Sequence, residues 1–120
     1  MKILICDNER PARGELRYIL EQLESQATIY EAKNGTEALE WVGKESIDVA
    51  FLDINMPGMN GLEVYHRLQD LEPSVRVVVA SGFIDDRYRK AFGDCKMINK
   101  PYSIADLTSA IRAVALQPVA

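Results

Sequence analysis

The sequence has few cysteines and no long apolar run. Its two cysteines, Cys6 and Cys95, lie far apart without the spacing of a metal or redox motif, which predicts two reduced structural thiols. No apolar segment approaches the length of a membrane span, and Asp7 follows the N-terminal MKILIC before the apolar core of a signal peptide could be complete. These absences argue against a disulfide-stabilised scaffold and a membrane span, and we expect a cytoplasmic location.

Two further absences narrow the range of ligands. The sequence contains neither GxxxxGK[ST] nor GxGxxG, the glycine-rich motifs whose backbone holds nucleotide phosphates, so no nucleotide site is predicted. The formal net charge is −4 and the 14 lysines and arginines are scattered, whereas a nucleic-acid surface needs clustered basic residues. We expect no direct binding of nucleic acid and no membrane contact.

Short apolar runs alternate with amphipathic segments along the whole chain. With 120 residues, of which 48% are apolar, the chain suits one hydrophobic core, and we expect a single domain over residues 1–120. The alternation predicts an α/β fold, a doubly wound five-stranded parallel sheet in the order 2-1-3-4-5 with helices on both faces. The predicted strands are residues 2–6, 28–32, 47–52, 75–80 and 96–99.

Capping residues mark the starts of two helices. Asn60 followed by Glu63, and Ser103 followed by Asp106, have the spacing of capping boxes and predict the starts of the third and the last helix. The helix between Phe83 and Phe92 is the least distinct, because the segment is short and rich in charge.

Polar residues follow four of the predicted strands at the point where each strand ends. They are Asp7 after the first strand, Asp53 after the third, Ser81 after the fourth and Lys100 after the fifth. Ligands of doubly wound sheets bind beyond the carboxyl ends of the strands, so we expect these side chains to lie together. Two neighbouring carboxylates call for a hard, oxygen-preferring cation, for which Mg²⁺ is the natural candidate.

The same group of residues predicts phosphoryl transfer. A magnesium ion held by few carboxylates keeps positions open for phosphate oxygens, and Lys100 and Ser81 can bind the remaining oxygens of a phosphoryl group. Since no nucleotide site is predicted, the phosphoryl group should come from a partner or a small molecule. A carboxylate can accept it as an acyl phosphate, and Asp53 is the best-placed acceptor.

Residues 53–61, DINMPGMNG, resemble the phosphoacceptor loop of response-regulator receiver domains in two-component signalling. Asp7 stands in the place of one residue of the family's acidic pair, Ser81 in the place of its hydroxyl residue, and Lys100-Pro101 in the place of its Lys-Pro step. The resemblance covers the whole chain. It implies a flavodoxin-like receiver fold and a signalling phosphoacceptor that catalyses only its own phosphorylation and dephosphorylation.

The resemblance also implies partners and ligands. A sensor histidine kinase or a histidine phosphotransfer protein would donate the phosphoryl group to Asp53, and phosphorylation would change binding to a downstream effector domain or protein. Ser81 and Lys100 would contact the phosphoryl group, and the Lys100–Pro101 peptide bond is implied to be cis. The implied Mg²⁺ ligands come from two loops: Asp7 through a water molecule, Asn8, Asp53 and the backbone carbonyl of Asn55.

The chain departs from the family pattern in three places. Most members carry a second Asp where this chain has Asn8, so we expect weaker Mg²⁺ binding than in a relative with two. Met97 stands where the family usually has an aromatic residue, which removes an aromatic rotamer switch. The segment from residue 81 to residue 100 is also shorter than usual.

Two other functions stay open at the level of the sequence. A phosphatase of the haloacid-dehalogenase type also uses Asp, then Ser or Thr, then Lys, but it needs a second Asp where this chain has Asn55, and a later acidic pair. A receiver-fold module that binds partners without phosphorylation is suggested by Asn8 and Met97. No effector domain follows Val114, so we expect either a stand-alone receiver or part of a larger regulator or hybrid kinase.

Replacing Asn8 with aspartate should tighten Mg²⁺ binding, because a carboxylate adds negative charge to the ligand set whereas an amide oxygen adds none. A calorimetric titration with magnesium chloride measures the change. An unchanged affinity would contradict the assignment of Asn8 as a ligand.

Overall fold

The computed structural model describes residues 1–82, 84–93 and 95–116, along which strands and helices alternate. The strands are β1 (Lys2–Cys6), β2 (Thr28–Ala32), β3 (Val49–Leu52), β4 (Arg76–Ser81) and β5 (Lys96–Asn99). The helices are α1 (Arg10–Leu23), α2 (Gly35–Lys44), α3 (Gly61–Leu71), α4 (Asp86–Phe92) and α5 (Ile104–Leu116). None of these described helices is long and apolar enough to cross a membrane.

The five strands form one parallel sheet in the order β2-β1-β3-β4-β5, which confirms the predicted fold. Two strand boundaries differ from the prediction. β3 begins at Val49 rather than Ile47, because the Ile47 N–H donates to the Glu45 carbonyl 3.0 Å away in a turn. β4 lies one residue later than predicted and ends at Ser81, whose carbonyl accepts the Lys100 N–H at 2.9 Å.

Helices cover both faces of the sheet, which explains why its central strands are apolar at consecutive positions. On one face, Ile3 and Ile5 of β1 pack with α1 and α5. On the other face, Leu4 and Cys6 pack with α2, α3 and α4. Each fully buried aliphatic side chain contributes about 1.5–3 kcal/mol to the free energy of unfolding, so the two helix layers hold the sheet firmly. Because both faces of the sheet are covered, polar groups collect at the ends of the strands.

The two predicted capping boxes do begin helices. The Asn60 side chain accepts the Glu63 N–H at 3.0 Å at the start of α3. The Ser103 hydroxyl accepts the Asp106 N–H at 3.0 Å at the start of α5. Each cap satisfies a backbone N–H that the helix itself leaves without a partner.

The short fourth helix also forms. α4 begins at Asp86, because the Asp85 carboxylate accepts the Tyr88 N–H at 3.2 Å and caps it. The helix ends before Gly93, whose φ of 63° is favourable for glycine alone. Phe83, where the predicted helix segment begins, lies outside the described residues.

The outer edge of β2 is partly closed by a tryptophan. Trp41 of α2 donates its indole N–H to the Glu31 carbonyl at 3.1 Å. Its ring packs against Tyr30, with 4.6 Å between the ring centroids. A backbone acceptor on the open edge of the sheet is therefore already satisfied within the chain.

The start of α3 lies directly against the loop that follows β3. The Gly61 N–H donates to the Ile54 carbonyl at 3.0 Å. A Cβ atom at residue 61 would lie 2.3 Å from the Asp53 carbonyl oxygen and 2.8 Å from the Cα of Ile54, both backbone atoms. Only glycine permits this approach, so the close packing at Gly61 helps to fix the loop that carries Asp53.

Gly61→Ala should lower the free energy of unfolding by about 2 kcal/mol, because the added methyl group must displace backbone atoms. Urea denaturation measures the change. Gly14→Ala is the matched control, since a Cβ there meets nothing within 4 Å in the exposed middle of α1 and should raise the free energy of unfolding by about 0.5–1 kcal/mol. Equal effects of the two substitutions would show that the loop yields at no cost.

Candidate functional site

Four polar side chains meet beyond the carboxyl ends of the strands. Asp7 follows β1, Asp53 follows β3, Ser81 ends β4 and Lys100 follows β5. In the part of the chain that the structure describes, Asp7, Asp53 and Ser81 are the buried polar side chains, with exposed fractions of 3%, 4% and 0%. The structure thus brings together the four residues that the strand ends indicate, and three of them have little exposure to solvent.

Lys100 joins the two carboxylates. Its Nζ lies 2.5 Å from Oδ2 of Asp7 and 3.5 Å from Oδ2 of Asp53. Burial disfavours the charged form of Lys100, but the hydrogen bond to Asp7 and the charges of both carboxylates outweigh it and raise the pKa of the ammonium above its ordinary value. Lys100 is therefore a permanent cation between two anions.

The negative charge of Asp53 is neutralised less completely than that of Asp7, because Asp53 lies farther from the Lys100 ammonium. Burial raises the pKa of its carboxyl above the ordinary 3.8, and the charge of Asp7 raises it further. Lys100 and a hydrogen bond from the Asn55 N–H, at 3.3 Å from Oδ1, act in the opposite direction without cancelling the rise. The Asp53 carboxylate is consequently a stronger base than an exposed one, and it gains from any added positive charge.

Ser81 is linked to the loop after β3. The Asn55 side-chain amide donates to the Ser81 hydroxyl at 3.4 Å, which joins this loop to the end of the neighbouring strand β4. The fully buried hydroxyl also donates to the Asp53 carboxylate, so it could donate in the same way to an oxygen bound there. The end of the fourth strand predicts the position of Ser81 but not its contact with Asn55, which depends on the reach of the Asn55 side chain.

The Asp7 backbone and side chain are held by several hydrogen bonds. Its N–H donates to the Ala32 carbonyl at 3.1 Å, and its Oδ1 accepts the Glu9 N–H at 2.9 Å. Its own carbonyl accepts a hydrogen bond from Arg13 of α1 at 2.7 Å. Arg13 is not among the site residues predicted from the sequence. A basic residue early in the helix after an acidic loop is the signal that could have indicated it. Asn8, the next residue along the loop, is exposed.

The donor set at this site is small. Among the residues that the structure describes, no three His, Cys, Asp or Glu side chains are grouped so as to hold a metal ion. A cation at the strand ends would therefore rely on Asp7 and Asp53 for charge and on neutral oxygens, such as those of Asn8 and Asn55, for its other ligands.

One feature of the segment after β4 is as the family resemblance implies. The Lys100–Pro101 peptide bond is cis, as the family resemblance implies. Met97 of β5 is partly buried and packs against the core beneath α2, α3 and α4. Tyr102 is partly buried on the other face, where burial and the charges of Asp7 and Asp53 raise the pKa of its hydroxyl.

Asp53→Asn should raise the free energy of unfolding of the metal-free protein at neutral pH, because it removes one of two buried like charges at constant size. The pKa of Asp53 is raised in the folded state, so the wild type loses stability as the pH rises from 3.8 through that raised pKa. The stabilisation should accordingly be absent below pH 3.8 and grow toward neutrality. Urea denaturation in EDTA across this pH range measures it.

Asp70→Asn is the matched control, because it is the same substitution at an exposed position of α3. It should change the free energy of unfolding by less than about 0.5 kcal/mol. A loss of stability in Asp53→Asn at pH 7 would show that Asp53 serves Lys100 as a counterion more than it is repelled by Asp7.

Comparisons with known proteins agree on one family. Residues 3–112 match the model of the response regulator receiver domain. Sporulation initiation phosphotransferase F of Bacillus subtilis is 32% identical over 114 residues, which cover 92% of this chain and 90% of that protein. Sensory transduction protein LytR of Staphylococcus haemolyticus is 32% identical over 116 residues, which cover 95% of this chain but 45% of that protein.

Solved structures show the same fold. The signal receiver domain of a DNA binding response regulator from Colwellia psychrerythraea superposes with a TM-score of 0.86 at 25% identity, covering 98% of this chain and 99% of that one. Chemotaxis protein CheY4 of Vibrio cholerae superposes with a TM-score of 0.84 at 23% identity, covering 94% and 97%. With its sheet order, its strand-end residues and the match over residues 3–112, the chain belongs to the receiver domain family of two-component response regulators.

Proposed function

We propose that Asp53 accepts a phosphoryl group from the phosphohistidine of a sensor histidine kinase or of a histidine phosphotransfer protein. Receiver domains are signalling phosphoacceptors rather than classical enzymes. The observation that carries the proposal is the Asp53 carboxylate, which is buried at the end of β3 beside a second carboxylate and lies 3.5 Å from the Lys100 ammonium. A nucleophile and a compensating cation are thus side by side.

The reaction requires little of the protein beyond placement and charge. A carboxylate oxygen of Asp53 attacks the phosphorus atom, the bond from phosphorus to the donor nitrogen breaks, and an acyl phosphate forms on Asp53. Burial and Asp7 make this carboxylate more basic than usual, which favours the attack. Lys100 compensates charge on the phosphoryl oxygens, and the Ser81 hydroxyl donates to one of them.

The donor set fits Mg²⁺, a small hard cation that prefers oxygen ligands. Asp7 and Asp53 are buried and share one ammonium group, so their negative charge exceeds the positive charge beside them. Asp7, Asp53, the side-chain oxygen of Asn8 and the backbone carbonyl of Asn55 would hold the ion. When bound, it supplies positive charge that neutralises the phosphoryl oxygens.

The proposal extends to the chain as a whole. Residues 1–120 form one receiver domain in the cytoplasm, and phosphorylation alters its binding to a downstream effector domain or protein, with no direct contact to nucleic acid or membrane. The family match over residues 3–112 supports the domain limits. The Staphylococcus haemolyticus relative, of which this chain covers 45%, is an example of a receiver-like region inside a longer protein.

A receiver-fold module that works without phosphorylation is the second candidate, because Asn8 brings no charge to the loop where most family members have an acidic residue. The phosphatase alternative has less support, since Asn55 stands where such an enzyme needs a second Asp. The two candidates and the leading proposal differ in one measurable property, the formation of a stable phosphoryl adduct.

Incubation with acetyl phosphate and magnesium chloride should add one phosphoryl group to the wild-type protein, because the small molecule can replace the phosphohistidine donor. Intact-mass spectrometry measures the adduct. Asp53→Asn should show none, and Asp70→Asn, the same change at an exposed site, should be phosphorylated like the wild type. EDTA should suppress the reaction.

Three results would change the proposal. A wild type without adduct would favour the phosphorylation-independent module. An adduct that persists in Asp53→Asn would place the acceptor elsewhere. Continuous release of phosphate from phosphoesters would revive the phosphatase.

A further inference from the structure

We propose that Arg13 is a positioning residue for the cation site, an inference that rests on the proposed function. Arg13 lies in α1, and its side chain is only 14% exposed. Its Nη1 donates to the backbone carbonyl of Asp7 at 2.7 Å, and its Nε donates to Oε1 of Glu31 at 3.2 Å. One guanidinium therefore links the loop after β1 to the neighbouring strand β2.

The contact with the Asp7 carbonyl fixes more than Asp7. The peptide unit between residues 7 and 8 is planar, so its carbonyl oxygen, its N–H and the Cα of Asn8 lie in one plane. The Asp7 N–H is already bound to Ala32 at 3.1 Å, which fixes the preceding peptide unit as well. Arg13 thereby sets the direction in which the chain carries Asn8 away from the strand end.

This direction matters because Asn8 is exposed and uncharged. A carboxylate at that position would be drawn toward a cation over a distance, but an amide oxygen contributes only when it is correctly placed. The departure from the family pattern at Asn8 thus makes cation binding depend on the orientation of the loop, and Arg13 is the side chain that holds that orientation.

Glu31 holds the Arg13 guanidinium in place and partly neutralises its positive charge. Besides Arg13, its carboxylate accepts from Nη1 of Arg17 at 2.9 Å, so the two arginines share one carboxylate. Arg17 has a second ion pair, with Glu21 at 3.6 Å. Arg17 makes the same kind of ion pair as Arg13, but its described hydrogen bonds and ion pairs go to Glu21 and Glu31 and not to Asp7. Arg17 is therefore a matched control for charge.

Position and charge act in opposite directions at Arg13. A positive charge near Asp7 repels Mg²⁺, so its removal would tighten binding if charge were the only contribution. Loss of the hydrogen bond to the Asp7 carbonyl frees the loop and weakens binding, as loss of outer partners of metal ligands commonly does. The sign of the change in affinity therefore distinguishes positioning from charge.

The test is a Mg²⁺ titration of ¹⁵N-labelled protein, followed through the amide chemical shifts of residues 7, 8, 53 and 55. Arg13→Ala should weaken Mg²⁺ binding about tenfold. Arg17→Ala should leave the affinity within about twofold of the wild type, because its ion pairs are partly exposed. Unchanged or tighter binding by Arg13→Ala would overturn the inference, and so would equal weakening by both substitutions.

Two conservative substitutions, Arg13→Lys and Arg17→Lys, keep the test valid if Arg13→Ala does not fold. Arg13→Lys keeps the charge but cannot bind Asp7 and Glu31 together through a planar fork, so it should bind Mg²⁺ more weakly than Arg17→Lys. Equal affinities of these two variants would also overturn the inference.

Phosphorylation by acetyl phosphate provides a second readout. Arg13→Ala should need about tenfold more Mg²⁺ for half-maximal phosphorylation and should approach the wild-type rate at saturating Mg²⁺. A lower rate at saturation with an unchanged Mg²⁺ requirement would contradict a positioning role. Absence of any adduct on the wild type would instead refute the proposed function. The Mg²⁺ titration measures binding alone, so its outcome would still decide the role of Arg13.

Discussion

The ion pairs of Lys100 with Asp7 and Asp53 are the interaction on which the rest of this site depends. Two buried carboxylates on adjacent strands repel each other, and the free energy of the folded state would rise steeply without a cation between them. The chain supplies that cation from the end of its last strand. The sheet order that brings residue 100 to residues 7 and 53 is thus an electrostatic requirement as well as a result of apolar packing.

The architecture and the main site residues could be predicted because they depend on local patterns. Continuous apolar runs identify strands covered on both faces, and the parallel order places all strand ends at one edge. Asp7, Asp53, Ser81 and Lys100 follow from that edge without any knowledge of side-chain conformation. The caps at Asn60 and Ser103 follow in the same way from three-residue spacings.

Features that depend on the reach of side chains could not be predicted. The contacts of Arg13 with Asp7 and of Asn55 with Ser81 join residues whose separation in space is set by the packed fold. The start of β3 is a similar case, because Ile47 is as apolar as a strand residue but its N–H is taken by a turn. Sequence patterns report burial more reliably than they report hydrogen-bond partners.

Glu31 contributes to two separate features of the molecule, the acidic loop after β1 and the open edge of the sheet. Its carboxylate accepts a hydrogen bond from Arg13, which in turn binds the acidic loop. Its backbone carbonyl accepts the indole N–H of Trp41 at the open edge of the sheet. An occupied edge acceptor discourages the addition of a foreign strand, which protects parallel sheets from self-association. A substitution of Glu31 would remove the side-chain contact with Arg13 but keep the backbone carbonyl that accepts the Trp41 indole N–H. The acidic loop could therefore change through this position while the edge of the sheet stays protected from aggregation.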